Sequence, residues 1–318
     1  MLIKRYWHAA VLLALFFTAA AAALPVRAEK ITKAEKGPKA EKAPKLSWEL
    51  KFLLDSDRVT DKDHLLSKEY RNLFSVEEEP QGVELVYLDT KDRDFFREGW
   101  INRIRLKEGK KKYELDFKKR FDVPEGDIDA ALLSAAEQGF HIEDPGYEAQ
   151  ADWGYEKMRL SFVTEEKVKP ESLKSLSALE GQELILMAKK CMPEKEDNWI
   201  SSGWGKDRME EALPAGPLKY LKYSGIYEEQ EIDIEIWPVD EPADGPVDEP
   251  VDGEEPGEKS YVTELSLKCD TREEAEMMRD RIMEALDKQG ILLHKDSLKT
   301  NMILDKYIGP MSESGVSQ

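Results

Sequence analysis

An α+β fold on a mostly antiparallel β-sheet is predicted by two features of the chain. Eight segments read as strands, several of them with charged and apolar side chains alternating with period two, while helical periodicity is confined to two segments. In most of the strand segments the charged residues share one face. Eight strands with so few helices are the plan of an α+β sheet or of a closed barrel.

The first segment, 47–52, puts Ser47, Glu49 and Lys51 on one face and Trp48, Leu50 and Phe52 on the other. Residues 83–88 form a second strand ending at Asp89-Thr90. In 101–107, Arg103, Arg105 and Lys107 oppose Ile104 and Leu106, and Gly109 follows in a turn. Segment 113–119 then sets Glu114, Asp116 and Lys118 against Tyr113, Leu115 and Phe117, so these two strands make a hairpin. Lys157, Arg159 and Ser161 alternate with Met158, Leu160 and Phe162. Residues 183–188 read as a mainly apolar strand leading to Lys189. Segment 227–237 shows Glu229, Glu231, Asp233 and Glu235 on one face and Ile232, Ile234 and Ile236 on the other. In 262–269, Glu264, Ser266 and Lys268 oppose Leu265 and Leu267. Helices are expected at 128–138 and 271–289. In the second, Ala275, Met278, Ile282, Ala285 and Leu286 form one apolar stripe, ended by Gly290.

Periodicity leaves two arrangements open. A closed barrel would turn the charged face inward and make an ion-lined tunnel. An open antiparallel sheet would show that face to water, and periodicity by itself favours this second arrangement.

The formal net charge is -19 over 318 residues. Such a chain repels phosphate backbones and anionic lipid, which excludes general nucleic-acid and membrane-surface binding. Any anion site must therefore be focused and interior. The first 28 residues carry an address: Lys4 and Arg5, an apolar run over 9–24 broken only by Thr18, then small residues at Val26 and Ala28. This is the pattern of a Sec-type signal peptide, and an uncleaved anchor is the alternative. The run is short of the roughly 20 residues of a full span. With no Cys at the cleavage point, a lipoprotein is not expected. The mature protein is expected to be exported, periplasmic or secreted, without stable membrane insertion.

Residues 29–45 repeat KAEK units and read as a flexible tether, since they hold too little apolar surface to offset ordering. The stretch 238–259 is acidic and Pro-rich, a solvated loop without the spacing of a calcium site. Residues 309–318 read as a flexible tail. Cys191 and Cys269 fit either one disulfide or two separate thiols, and their spacing fits no zinc motif. The histidines, His8, His64, His141 and His294, are isolated. Neither a metalloprotease, a Walker A nor a nucleophile-elbow motif is present. Ser201 to Gly205 reads as a loop, with Trp199 and Trp204 as packing residues.

Four short runs follow one another between positions 87 and 118: Tyr87-Leu88-Asp89-Thr90, Glu98-Gly99, Arg103-Ile104-Arg105 and Glu114-Leu115-Asp116-Phe117-Lys118. In residues and spacing they resemble the core of the CYTH family of triphosphate tunnel metalloenzymes, and the resemblance extends loosely over 46–308. It implies one tunnel domain, an eight-stranded, mostly antiparallel closed β-barrel with flanking helices. Carried over by position, Lys51, Arg103, Arg105, Lys118 and Arg159 would hold phosphate oxygens. Lys299, in Ser297-Leu298-Lys299, resembles the family's late Ser-Lys position. Arg offers a planar fork to phosphate and Lys a movable point charge. Glu49, Glu264 and one or both of Asp233 and Glu235 would hold Mg²⁺ or Mn²⁺.

The sequence departs from the family at two places. The opening E-x-E-x-K stands here as Ser47-Trp48-Glu49-Leu50-Lys51, and the late E-x-E as Glu264-Leu265-Ser266. Each change removes a carboxylate, and Lys268 adds a cation to the same face. The resemblance implies a small triphosphate- or polyphosphate-like partner, bound and hydrolysed by a divalent-metal-dependent triphosphatase. The departures favour the alternative, a degenerate phosphoanion-binding or envelope interaction protein. No catalytic residue is assigned.

Overall fold

The computed structural model describes residues 45–76, 78–239, 260–297 and 299–311. The expected signal peptide, nearly all of the tether, most of the acidic loop and the end of the tail lie outside the described residues.

The chain begins with β1 (Ser47–Leu54), the short helices α1 (Ser56–Val59) and α2 (Lys68–Leu73), β2 (Gln81–Asp89) and α3 (Asp94–Arg97). The hairpin β3 (Trp100–Lys107) and β4 (Tyr113–Asp122) follows, then α4 (Ile128–Glu137), β5 (Glu148–Trp153) and β6 (Met158–Val168). Three helices come next, α5 (Gly181–Cys191), α6 (Glu194–Asp197) and α7 (Trp204–Glu210). The last part holds β7 (Leu213–Tyr227), β8 (Gln230–Pro238), β9 (Tyr261–Cys269), α8 (Arg272–Lys288), β10 (Leu292–Leu293) and α9 (Lys299–Tyr307).

The strand order is β1-β5-β6-β4-β3-β2-β7-β8-β9, and β9 returns to β1 from Trp48↔Cys269 to Leu54↔Thr263. The sheet is thus a closed barrel, which leaves no row of unpaired backbone groups at an edge. It has nine strands where eight were expected, and β10 adds a two-residue pairing beside Leu53 and Leu54. Every neighbour is antiparallel except β1–β5, which runs parallel from Ser47↔Gln150 to Leu50↔Trp153.

Three expectations are corrected. Residues 183–188 are not a strand but the middle of α5. Glu180 and Glu183 close a reciprocal capping box there, and Leu184, Ile185 and Ala188 share the buried face. A short apolar run fits either period, and the cap decides it. The strand expected over 227–237 is interrupted by a hairpin turn in which Glu228 and Glu229 take left-handed φ values of 50° and 67°. Its first residue, Tyr227, ends β7 and pairs with Gln230. The loop expected at Ser201 to Gly205 opens into α7 at Trp204.

Helices jacket the barrel on several sides. Contacts join α8 to β1 and β9, α4 to β4 and β6, and α5 to β3 and β7. Leu50, Phe52, Ile104, Leu115, Leu160, Ile234 and Leu265 are buried beneath them in one continuous apolar cluster. Within α8 the expected stripe holds: Ala275, Met278, Ile282 and Leu286 are buried. Met278, Ile282 and Leu286 each contribute about 1.5–3 kcal/mol. Since the apolar face of the strands is covered from outside, the charged face is left to the interior.

That interior is not charged all round. Val83, Leu85 and Tyr87 of β2, Leu218 and Tyr220 of β7 and Trp237 of β8 form a second apolar cluster with Ile303 and Leu304 of α9. The C-terminal helix therefore lies against one arc of the inner face. Its far end is held by Arg93, which is 1% exposed and donates to Asp305 at 2.5 Å and to the Gly309 carbonyl. Cys191 and Cys269 are both free thiols. Trp199 and Trp204 pack edge-on against Trp100 and Phe95, respectively. Among the described residues no helix is long and apolar enough to cross a membrane.

Candidate functional site

Five strands that are neighbours in the barrel, β1, β5, β6, β4 and β3, carry the ionic arc of the interior. At its centre is Asp152 of β5. Lys51 of β1 donates to its Oδ1 at 2.6 Å, and Lys118 of β4 and Ser161 of β6 donate to its Oδ2 at 2.6 and 2.8 Å. Lys51 also lies 2.7 Å from Glu49, and Gln150 bridges Glu49 and Asp152. Burial would raise the Asp152 carboxyl, but Lys118, Lys51 and Arg120 hold it well below the usual carboxylate range. Lys51 is likewise raised: burial pulls it down, and Asp152 and Glu49 more than reverse this. For Lys118 burial wins, and its ammonium is pulled down to about 8 despite Asp152.

On β3, Arg103 Nε donates to Asp116 at 2.5 Å, and Arg105 reaches the same carboxylate and Glu165 of β6. Lys107 continues the row to Glu114 at 2.8 Å. Arg103 keeps 30% of its side chain accessible, while its partner Asp116 keeps 3%. Arg105 Nε is buried without a partner.

Arg159 of β6 stands opposite Asp152 in the ladder without pairing to it. Beside it is a cation that the motif comparison passes over, Arg120 of β4. Among the described residues neither guanidinium has an ion pair or a side-chain hydrogen bond. Arg120 pairs in register with Ser161, and Asp122 with Arg159, which makes the two arginines diagonal neighbours. Burial lowers Arg120, Asp152 opposes this, and repulsion from Arg159 adds to it. The signal for Arg120 was present in the alternation Glu114, Asp116, Lys118, Arg120, which runs one residue beyond the expected end of the strand.

The expected metal residues are divided. Glu235 and Glu264 face each other across β8 and β9, and both accept from Lys299 Nζ, at 2.8 and 2.7 Å. Burial would raise Glu235, and Lys299 takes it down to about 2. Lys299 itself is held above the ordinary lysine range by the same two partners, against burial. Glu49 is engaged by Lys51 and Gln150. Asp233 is bonded to Lys222 at 2.7 Å and to Ser224, apart from the glutamate pair. Among the described residues no group of three or more His, Cys, Asp or Glu stands close enough to hold a metal ion. Mg²⁺ prefers about six oxygen ligands, and this arrangement does not fit it.

No protein-family model and no curated protein sequence matches the chain. Solved structures do resemble it. A Hippeastrum protein described as an adenylyl cyclase with a dominant triphosphatase activity aligns over 83% of this chain and 98% of its own, at 14% identity and a TM-score of 0.47. The PH1819 protein of Pyrococcus horikoshii OT3 covers 82% and 99%, at 14% identity and a TM-score of 0.37. A Bacillus halodurans protein described as an adenylate cyclase covers 76% and 90%, at 12% identity and a TM-score of 0.38.

Proposed function

We propose that this protein binds a triphosphate- or polyphosphate-type anion inside the barrel, between Arg120 and Arg159 and alongside Arg103 and Arg105. The observation that carries the reading is the unpartnered state of Arg120 and Arg159 among the described residues, in an interior where the neighbouring lysines are neutralised. The carboxylate that acts on Arg120, Asp152, already accepts from Lys51, Lys118 and Ser161, so two adjacent like charges are costly here unless a ligand supplies further acceptors. Phosphoryl oxygens match guanidinium forks in geometry and charge. An interaction protein whose interior charges only satisfy one another accounts for Lys51, Lys118 and Lys299, but not for these two arginines. The motif resemblance around Arg103 and Lys118 points to the same ligand class.

Export belongs to this proposal and rests on residues 1–28. A phosphate-rich inorganic anion suits such a compartment better than a nucleotide. Calorimetric titration of the mature protein with inorganic triphosphate tests the binding. One site per chain is expected, with each of Arg120→Met and Arg159→Met weakening it by roughly tenfold or more, the value of a charge-assisted hydrogen bond. A flat titration without thermal stabilisation would overturn the reading. Phosphate release in the same samples reports whether hydrolysis accompanies binding.

A further inference from the structure

Glu235 and Glu264 stand directly opposite each other on neighbouring strands, and Glu264 is only 5% exposed. Two carboxylates in that register repel each other unless a cation or a shared proton lies between them. A divalent ion would need this pair and further oxygens as well. Those oxygens are missing: positions 47 and 266 are serines, Glu49 is engaged by Lys51, and Asp233 by Lys222. A side chain supplies the cation instead. Lys299 places its ammonium within 2.8 Å of both carboxylates and 4.4 Å from the centre of the Trp237 ring. The residue is the first of α9, whose Ile303 and Leu304 are buried on the inner face and whose far end is clasped by Arg93.

We propose that Lys299 is the resident counter-cation of the Glu235–Glu264 pair, so that this barrel takes its anion without a divalent metal. The ammonium and a metal ion would need the same carboxylate oxygens, and they exclude each other by charge and by space. The α9 helix is then a standing wall of the chamber, because withdrawing it would leave two opposed glutamates with no positive charge between them. The metal-free binding rests on the anion reading above; the exclusion of metal from the glutamate pair does not.

Two measurements on the mature chain separate these parts. Electron paramagnetic resonance of added Mn²⁺ reads the pair directly. No Mn²⁺ that depends on Glu264 is expected in the wild type, and Lys299→Met is expected to gain one Mn²⁺ that the added change Glu264→Gln removes. Mn²⁺ that survives Glu264→Gln in the wild-type background is bound elsewhere and agrees with the proposal. A wild-type Mn²⁺ site abolished by Glu264→Gln would overturn it, even if Lys299→Met fails to fold. The second measurement titrates triphosphate in EDTA and in saturating Mg²⁺, and Mg²⁺ is expected not to tighten binding. Tightening by about tenfold, or 1.4 kcal/mol, would also overturn it. Absence of binding in both buffers would remove the anion reading alone, since the Mn²⁺ result stands without it.

Discussion

Lys118 and Asp152 meet at 2.6 Å, Nζ to Oδ2, although their strands β4 and β5 are not neighbours but flank β6. Only the concave side of a curved sheet lets side chains reach past an intervening strand in this way. Ser161, the small residue of β6 between them, leaves the room and donates to the same oxygen.

Removing that carboxylate strands the Lys118 ammonium and leaves Lys51 with Glu49 alone. Asp152→Ala is expected to destabilise the fold by about 3–5 kcal/mol, the usual cost of leaving one side of an interior ion pair alone. The loss appears as a lower midpoint in urea denaturation. A change below about 1 kcal/mol would mean that water already screens the pair.

Arg120 is expected to behave in the opposite way. Its charge is opposed by burial and by Arg159, so Arg120→Met relieves repulsion in the ligand-free protein. The melting temperature is expected to rise or hold while triphosphate affinity falls. Loss of both together would assign Arg120 a structural pairing role.

Glu196 makes the stability depend on pH. It is fully buried, and burial pushes its carboxyl up to about 8 from the ordinary 4.5, with Asp89 and Asp197 adding to the rise. The folded state then keeps a proton that the unfolded chain loses. Stability therefore falls as pH rises from about 4.5 to about 8, by at most about 1.4 kcal/mol per pH unit. Glu196→Gln is expected to remove this slope and to be the more stable protein at pH 8, leaving only the slope from Asp89, which burial raises to about 7. Urea denaturation across that range checks it; equal slopes in both proteins would refute it.

Gly99 turns the chain into β3 with a φ of 72°, and a Cβ there would lie 2.7 Å from the Arg120 carbonyl oxygen. Gly99→Ala combines a left-handed conformation with a backbone clash. A loss above about 1 kcal/mol is expected in the same denaturation assay, with displacement of Arg120 reported by weaker triphosphate binding. Unchanged stability would show that the turn can relax.

Much of the barrel could be read from residue order. Arg103, Arg105 and Lys107 were placed on one face of a hairpin with Glu114, Asp116 and Lys118, and the ladder pairs Arg103 with Asp116 and Arg105 with Glu114. Besides the two-residue β10, two strands of the barrel escaped notice for local reasons. In β5 the buried positions are Ala149 and Ala151, too small to mark an apolar face. In β7, Pro214, Gly216 and Pro217 read as turn residues, yet the strand passes through them with an irregular register against β2. The apolar arc was hidden as well, because Leu85 and Tyr87 alternate with Val86 and Leu88, which are themselves apolar.

Residue order by itself determined which face each charged side chain would occupy, since period two is a property of the extended backbone. Pairing was decided by the closed barrel alone. Lys299 meets Glu235 and Glu264 from 64 and 35 residues away, and Lys51 meets Asp152 from 101. Charge attraction depends on distance in space, and those distances came into being only when β9 closed on β1 and α9 settled against the inner face. The same closure left Arg120 and Arg159 side by side on the inner face with no ion pair or side-chain hydrogen bond among the described residues.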